Sequence, residues 1–331
     1  MNAAKQNLQL IHRKTICALR EDVHVNVRRR AALSLGPLHD DAAEKALDAA
    51  AASAALARAL LRDADAEVRR NSAASLGHLG SLAEPIGASA LSRSLLEDVD
   101  ESVRQVAAHS LADMGAESIN SQVAALTTAL RSDAAECVRC EAAAMLGKLG
   151  PQAGEEAAAA LIETLESDSP PVQQVAACSL GLLGESAGER GAVALVKVLR
   201  EAFHDDVGAR CRAFEAVRRL GSCIGEAGET VLARALLDDH DVEVRENAAT
   251  LLGYVRGACQ EKAFKALKRA VQDDRDASVR KKAAEALQIL GAGLDKELQW
   301  LSMEVQAGRA PVSKDFVFHA LQGPMPSKPE T

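Results

Sequence analysis

Residues 63–80 read DADAEVRRNSAASLGHLG, and this stretch decides the fold. It opens on Asp63, passes a second acid at Asp65, and reaches the pair Val68-Arg69. Val68, Ser72, Ala73, Leu76 and Leu79 then fall on one face at the spacing of an α-helix. Asp65 stands where a helix N-cap is preferred, and Gly77 and Gly80 are expected to end the helix.

The phrase recurs along the chain. Val27-Arg28, Val68-Arg69, Val103-Arg104, Val138-Arg139, Val244-Arg245 and Val279-Arg280 are clear copies, and Val172-Gln173 and Ala209-Arg210 are degenerate ones. Successive copies stand 41, 35, 35, 34, 37, 35 and 35 residues apart, so eight units fill nearly the whole chain. Seven residues after each anchor comes Leu35, Leu76, Leu111, Leu146, Leu180, Val217, Leu252 or Leu287. Upstream, pairs such as Leu56 and Leu60, Leu91 and Leu95, or Leu126 and Leu130 predict a preceding helix at i, i+4 spacing. Each unit is therefore a hairpin of helix A and helix B. One hairpin cannot cover its own apolar stripe, so neighbours must stack and share a core. The expected N-caps of the B helices are Asp65, Asp100, Asp206, Asp241 and Asp276, with Ser169 before Pro170 in the fifth unit.

Six residues before most anchors lies a further Asp. The pairs are Asp22 and Arg28, Asp63 and Arg69, Asp98 and Arg104, Asp133 and Arg139, Asp239 and Arg245, and Asp274 and Arg280. An acid at the C-terminal end of helix A opposes the helix dipole, so something must compensate it.

With Asp-x5-Arg followed by Ala and Leu-Gly, residues 5 to 292 resemble the HEAT repeats, in particular the short class of the phycobilisome lyases. The resemblance implies an all-α solenoid, a superhelical stack of about eight hairpins. It also implies that the Asp and Arg residues form a ladder between adjacent units. In the fifth unit both positions change, to Ser167 and Gln173, and the expectation is a weak rung there. Residues 151 to 206 are also acidic, with three Lys or Arg against ten Asp or Glu. Domain organisation is read as a solenoid over 1–292, a C-terminal capping helix over 293–307 carrying Leu294, Leu298, Leu301 and Val305, and an extended tail over 308–331 with a Pro-rich end.

Composition agrees with closely packed helices. Among 331 residues, 48% are hydrophobic but only 2% aromatic, too few rings for a large sandwich or barrel. No apolar run is long enough to span a bilayer, and seven cysteines without a secretory signal point to a reducing compartment. The expected location is the cytoplasm. Lys5, Arg13, Lys14 and Arg20, with no acid before Glu21, resemble a mitochondrial presequence and are the feature that points to import instead.

The B-helix face opposite the core, which lines the concave side in HEAT arrays, is the candidate docking surface. It carries His78, Val106, His109, Asp113, Lys148, Val175, Cys178, Leu182, Arg212, Arg219 and Tyr254, joined by Phe316 and Phe318 of the tail. Apolar residues with a charged rim suit a protein partner. A net charge of −8 and a single Trp beyond the last repeat do not suit nucleic acid. Cys137 and Cys140 form a Cys-x-x-Cys, but a second such pair is absent, and the reading is free thiols that pack as small apolar residues. His78 and His109, on adjacent helices, could adjoin, yet lack the convergent ligands of a metal site. No phosphate loop or nucleophile elbow occurs. The expectation is a non-catalytic scaffold or adaptor, an accessory subunit of a larger complex with protein partners and no cofactor or metal. The competing class, implied by the short-repeat resemblance, is a tetrapyrrole-handling subunit of the bilin-lyase kind.

Overall fold

The structure, a computed structural model, describes residues 2–36, 42–201, 207–220, 225–254 and 260–290. The described residues are helical with no strand among them. Contacts divide the chain into two units, Met1–Ser186 and Ala187–Thr331. The expected capping helix and tail, 293–331, lie outside the described residues.

In the first unit the A helices are α1 (Asn2–Glu21), α3 (Ala42–Arg62), α5 (Ile86–Glu97), α7 (Ile119–Ser132) and α9 (Gly154–Ser167). The B helices alternate with them as α2 (Val25–Ser34), α4 (Ala66–Leu79), α6 (Glu101–Leu111), α8 (Glu136–Leu149) and α10 (Pro170–Leu183). Each A helix packs on the next A helix and each B helix on the next B helix, which gives two layers with the core between them. In the second unit α11 (Gly188–Glu201), α13 (Gly225–Asp238) and α15 (Gln260–Asp273) form one layer, and α12 (Val207–Leu220), α14 (Val242–Tyr254) and α16 (Ala277–Leu290) the other.

The repeated leucines are the core. Leu76, Leu111, Leu146 and Leu180 of the B layer and Leu56, Leu91, Leu126 and Leu161 of the A layer are fully buried. Their second neighbours are not all inside: Leu61 and Leu96 face outward, because the stripe at i, i+4 uses Leu60 and Leu95 instead. Burial of eight such leucines contributes about 2 kcal/mol each before the entropy of ordering the chain is set against it.

The two glycines of each repeat separate into different roles. Gly80 and Gly150 end α4 and α8 at φ 54° and 61°, the left-handed region that other residues avoid. Gly77, also expected to end its helix, lies inside α4, as its counterpart Gly147 lies inside α8. A Cβ on Gly147 would stand 2.8 Å from the Ser179 Cα, and one on Gly77 would stand 2.8 Å from the Ser110 Cβ. Glycine is needed there so that the next B helix can approach. Ser75 turns the same approach into a bond, its Oγ donating to the Ala32 carbonyl of α2 at 2.7 Å.

The helix starts follow the acids. Asp65 accepts from the Val68 N–H, Asp100 from those of Ser102 and Val103, Asp241 from Glu243 and Asp276 from Ser278. Ser169 holds the N-cap position of α10 without capping it; its Oγ donates to Glu136 at 2.7 Å instead. Asp206 lies outside the described residues. Replacing Gly147 by Val forces a branched side chain against Ser179, and we expect a loss of roughly 2 kcal/mol in urea denaturation. Gly154→Ala at a position with open space around it removes only the positive-φ allowance, and should cost about half as much.

Candidate functional site

At the turns between A and B helices runs a chain of guanidinium–carboxylate pairs, each Arg in the first turn of a B helix and each Asp just after an A helix. Arg28 donates through Nε and Nη2 to both oxygens of Asp63, at 2.8 and 3.1 Å. Arg69 does the same to Asp98 at 2.8 and 2.9 Å, and Arg104 to Asp133 at 2.7 and 2.9 Å. In the second unit Arg245 holds Asp274 at 2.9 and 3.2 Å. The third nitrogen of each fork turns back: Nη1 of Arg69 donates to the Asp63 carbonyl at 3.0 Å, and Nη1 of Arg104 to the Asp98 carbonyl at 2.9 Å. Arg28, Arg139, Arg245 and Arg280 bond the carbonyls of Asp22, Asp133, Asp239 and Asp274 in the same way. Arg28, Arg69, Arg104, Arg139 and Arg245 therefore each satisfy an orphan carbonyl at the end of their own helix A and the carboxylate of the following hairpin.

The carboxylates have one further task. Oδ1 of Asp63 accepts the Asp65 N–H at 3.0 Å, and Oδ1 of Asp98 accepts that of Asp100 at 2.9 Å, which folds the turn between the two helices. Asp22, Asp133, Asp239 and Asp274 repeat the arrangement with His24, Ala135, Asp241 and Asp276. The acid that opposes the helix dipole is thus paid for three times over, by two guanidinium N–H groups and one backbone N–H.

The fifth hairpin corrects the sequence reading. Ser167 is not the acceptor position. Arg139 donates to both oxygens of Asp168, each at 2.8 Å, and Asp168 Oδ1 accepts the Ser169 N–H at 2.7 Å. The 34-residue step between Val138 and Val172 drops one residue after the acid, not before it. The change at Gln173 remains, and a neutral amide cannot supply the charged fork that Arg provides.

These pairs are largely shielded, with Arg69 and Asp98 at 11% and 6% side-chain exposure and Arg245 and Asp274 at 3% and 8%. Burial pushes the Asp133 carboxyl upward, but the Arg104 guanidinium and the Ala135 N–H outweigh it and hold it below the ordinary carboxylate range. The Arg139 bond likewise lowers Asp168. A second fork, from Arg29 to Asp65 at 2.9 and 2.6 Å, joins the first two hairpins and holds Asp65 at about 2.

On the outer side of the B layer, His78 is exposed on α4, and Val106 and His109 lie on α6, half-buried and exposed respectively. His109 and His78, which adjacent helices could have brought together, face different neighbours. His78 leans toward Gly36 of the preceding hairpin, while His109 Nδ1 stands 2.8 Å from Glu141 Oε1 on α8. Asp113 pairs with Lys148 of α8 and lies 4.0 Å from His109 Nε2. His109, Asp113 and Lys148 are therefore committed to bridges between α6 and α8. Glu141 completes the set and was not singled out from sequence. Its signal was positional, since the residue two after the anchor Arg of one B helix, Glu141, faces the residue five after the anchor Arg of the one before, His109.

The apolar residues do not form one patch. Val175 and Cys178 are half-buried on α10 and Leu182 is 44% exposed there, but Val106 is separated from them by α8 with Glu141 and Lys148. In the second unit, Arg219 is exposed and pairs with Glu215 at 3.1 Å, as does Arg218 at 2.7 Å, and Tyr254 is half-buried at the end of α14. The Arg212 side chain, Phe316 and Phe318 lie outside the described residues. Among the described residues, no three His, Cys, Asp or Glu side chains gather as a metal site would require, and no helix is long and apolar enough to cross a membrane.

A stack of two-helix units locked by an Asp–Arg ladder is the architecture of a helical repeat protein. Models of HEAT repeats match residues 13–112, 123–218, 195–288 and 229–314, and the chain belongs to the HEAT-repeat family. It is similar in fold to a chain in a homology model of the full-length AP-3 complex in an intermediate open conformation. That match has 15% identity and a TM-score of 0.54, and covers 91% of this chain and 54% of the other. The chain thus spans about half the length of that relative. An Escherichia coli protein, YibA, aligns at 17% identity over 86% of this chain and 98% of its own, with a TM-score of 0.44. An engineered protein aligns at 22% identity over 73% and 97%, with a TM-score of 0.38. No curated protein matches the chain.

Removing one partner of a shielded rung leaves the other charge uncompensated. Asp133→Ala and Arg104→Ala should each cost roughly 3 kcal/mol in urea denaturation, and the double variant clearly less than their sum. The lowered carboxyls of Asp133 and Asp168 contribute stability that is complete above the unfolded value, about 3.9, and lost as pH falls through the folded value. Acid titration followed by circular dichroism should therefore show unfolding that begins below pH ~4, and Asp168→Asn should reduce its steepness.

Proposed function

We propose that the chain is a non-catalytic protein-interaction scaffold or adaptor, an accessory subunit of a larger complex, that docks partners on its B-helix face. The supporting observation is the contrast between the turns and the outward side of the B helices. At the turns, the described Arg–Asp rungs between hairpins are shielded and bidentate. On the outward side, α10 presents Leu182 at 44% exposure beside half-buried Val175 and Cys178, with the charged bridges of α6 and α8 on the preceding helices. A rigid support with an apolar centre and a polar border is what protein docking uses, since little side-chain entropy is then lost on binding. The similarity in fold to a chain of a multi-subunit complex supports the accessory-subunit part of the reading. Arg219 and Tyr254 of the second unit, and Phe316 and Phe318 of the tail, are further contact residues under this reading.

The full chain, purified by affinity from its native source, should carry a reproducible set of partners identified by mass spectrometry. Leu182→Asp should remove at least one of them by tenfold or more while the helical circular dichroism stays unchanged. An unchanged partner set with Leu182→Asp would move docking away from α10. A visible absorption band on mixing the chain with a bilin would instead support the tetrapyrrole-handling subunit.

A further inference from the structure

The motif that the scaffold reading leaves unused is Cys137-Val138-Arg139-Cys140. From sequence these thiols were expected to pack as small apolar residues. Val138 does so and is fully buried, but Cys137 is exposed and Cys140 is half-buried, so packing does not account for the pair. Both lie in the first turns of α8, which starts at Glu136. Residues three apart on an α-helix are one turn from each other, with Cα atoms about 5 Å apart by helix geometry. That separation falls inside the Cα window of roughly 4.4–6.8 Å that a disulfide accepts. The Cβ atoms, roughly 5–6 Å apart in a regular helix, must draw in toward about 4 Å, so closure tightens the first turns of α8.

We propose that Cys137 and Cys140 form a dithiol site that small-molecule disulfides of the glutathione class oxidise to an intrahelical disulfide. The exposed Cys137 thiolate attacks one sulfur of RSSR, forming Cys137–S–SR and releasing RS−. The Cys140 thiolate then attacks Cys137 Sγ, closing the protein disulfide and releasing the second RS−. The two thiol protons end on the two departing thiolates. Two electrons pass from the protein thiols to the small disulfide, and the balance is protein dithiol plus RSSR giving protein disulfide plus two RSH. Exposure sets the order of attack, because Cys137 is exposed and Cys140 only partly so. The order is reinforced at Cys140, whose thiol is pushed up by burial and by the nearby Glu136 and Asp168 carboxylates and so ionises less readily than an ordinary thiol. The pair also straddles Arg139, the donor to Asp168, so the closed and open forms bracket one rung of the ladder.

Cys17 on α1, exposed and with no second cysteine on its helix, provides an internal comparison within the same molecule. The reduced full chain is equilibrated with defined ratios of reduced to oxidised glutathione, alkylated, and cut with trypsin, which cleaves between the two cysteines at Arg139. Closure joins the two resulting peptides and adds no glutathione mass. The expected result is a joined pair at least about tenfold more abundant than glutathione-bearing Cys137, because the second thiol is held at high effective concentration. Cys17 should carry glutathione at the same ratios, and Cys140→Ser should leave glutathione trapped on Cys137. Glutathione retained on Cys137 in the unsubstituted chain, one glutathione on each cysteine, or no reaction where Cys17 reacts would each overturn the proposal.

Discussion

Everything in this fold depends on one contact made repeatedly: a guanidinium fork from one hairpin gripping the carboxylate that ends the first helix of the next. Packing of Ala and Leu faces is non-directional, and by itself it would allow neighbouring hairpins to slide or rotate. The bidentate pair fixes both distance and orientation. Because the third nitrogen of the same Arg is tied to its own hairpin, as from Arg69 to the Asp63 carbonyl, position passes from unit to unit without an intervening flexible element.

Small side chains let the ladder reach. A guanidinium can span two hairpins only if the B helices approach closely, which they do where Gly77 meets Ser110 and Gly147 meets Ser179. The scarcity of aromatic residues has the same origin. Bulky rings between the layers would separate Arg from Asp and leave shielded charges without partners, a far larger penalty than the burial gained. Charge, volume and backbone freedom at three positions of the repeat are thus coupled choices.

The repeat, the hairpin and the two-layer core could be read directly from sequence, because period and apolar spacing report them without reference to distant residues. Leu60 and Leu95 show the limit of that reading, since their neighbours Leu61 and Leu96 are equally apolar and face outward. The ladder was legible in kind but not in register. Asp168 was missed because a repeat counted backward from Gln173 lands on Ser167, whereas the structure counts forward from Arg139. Gly77 was taken for a terminator because a glycine near a helix end signals one; its actual constraint is a neighbouring helix that sequence alone does not place. The docking face was least legible. His109, Asp113 and Lys148 look available one residue at a time, and their mutual bridges with Glu141 exist only once α6 and α8 are side by side.

The displaced acid at Asp168 has a consequence for how such a chain tolerates change. From Arg69, Arg104, Arg139 and Arg245 the partner acid lies 29 residues on in every case, although the repeats themselves differ in length. Between Arg28 and Asp63 the interval is 35, and the extra residues leave the grip intact. What is held constant is therefore the meeting of two groups in space, while the tally of residues between them is free to drift wherever a loop can take up the difference. Insertions and deletions have a natural harbour in such an array, and its modules can be exchanged or lengthened at those harbours while the docking bolts stay aligned.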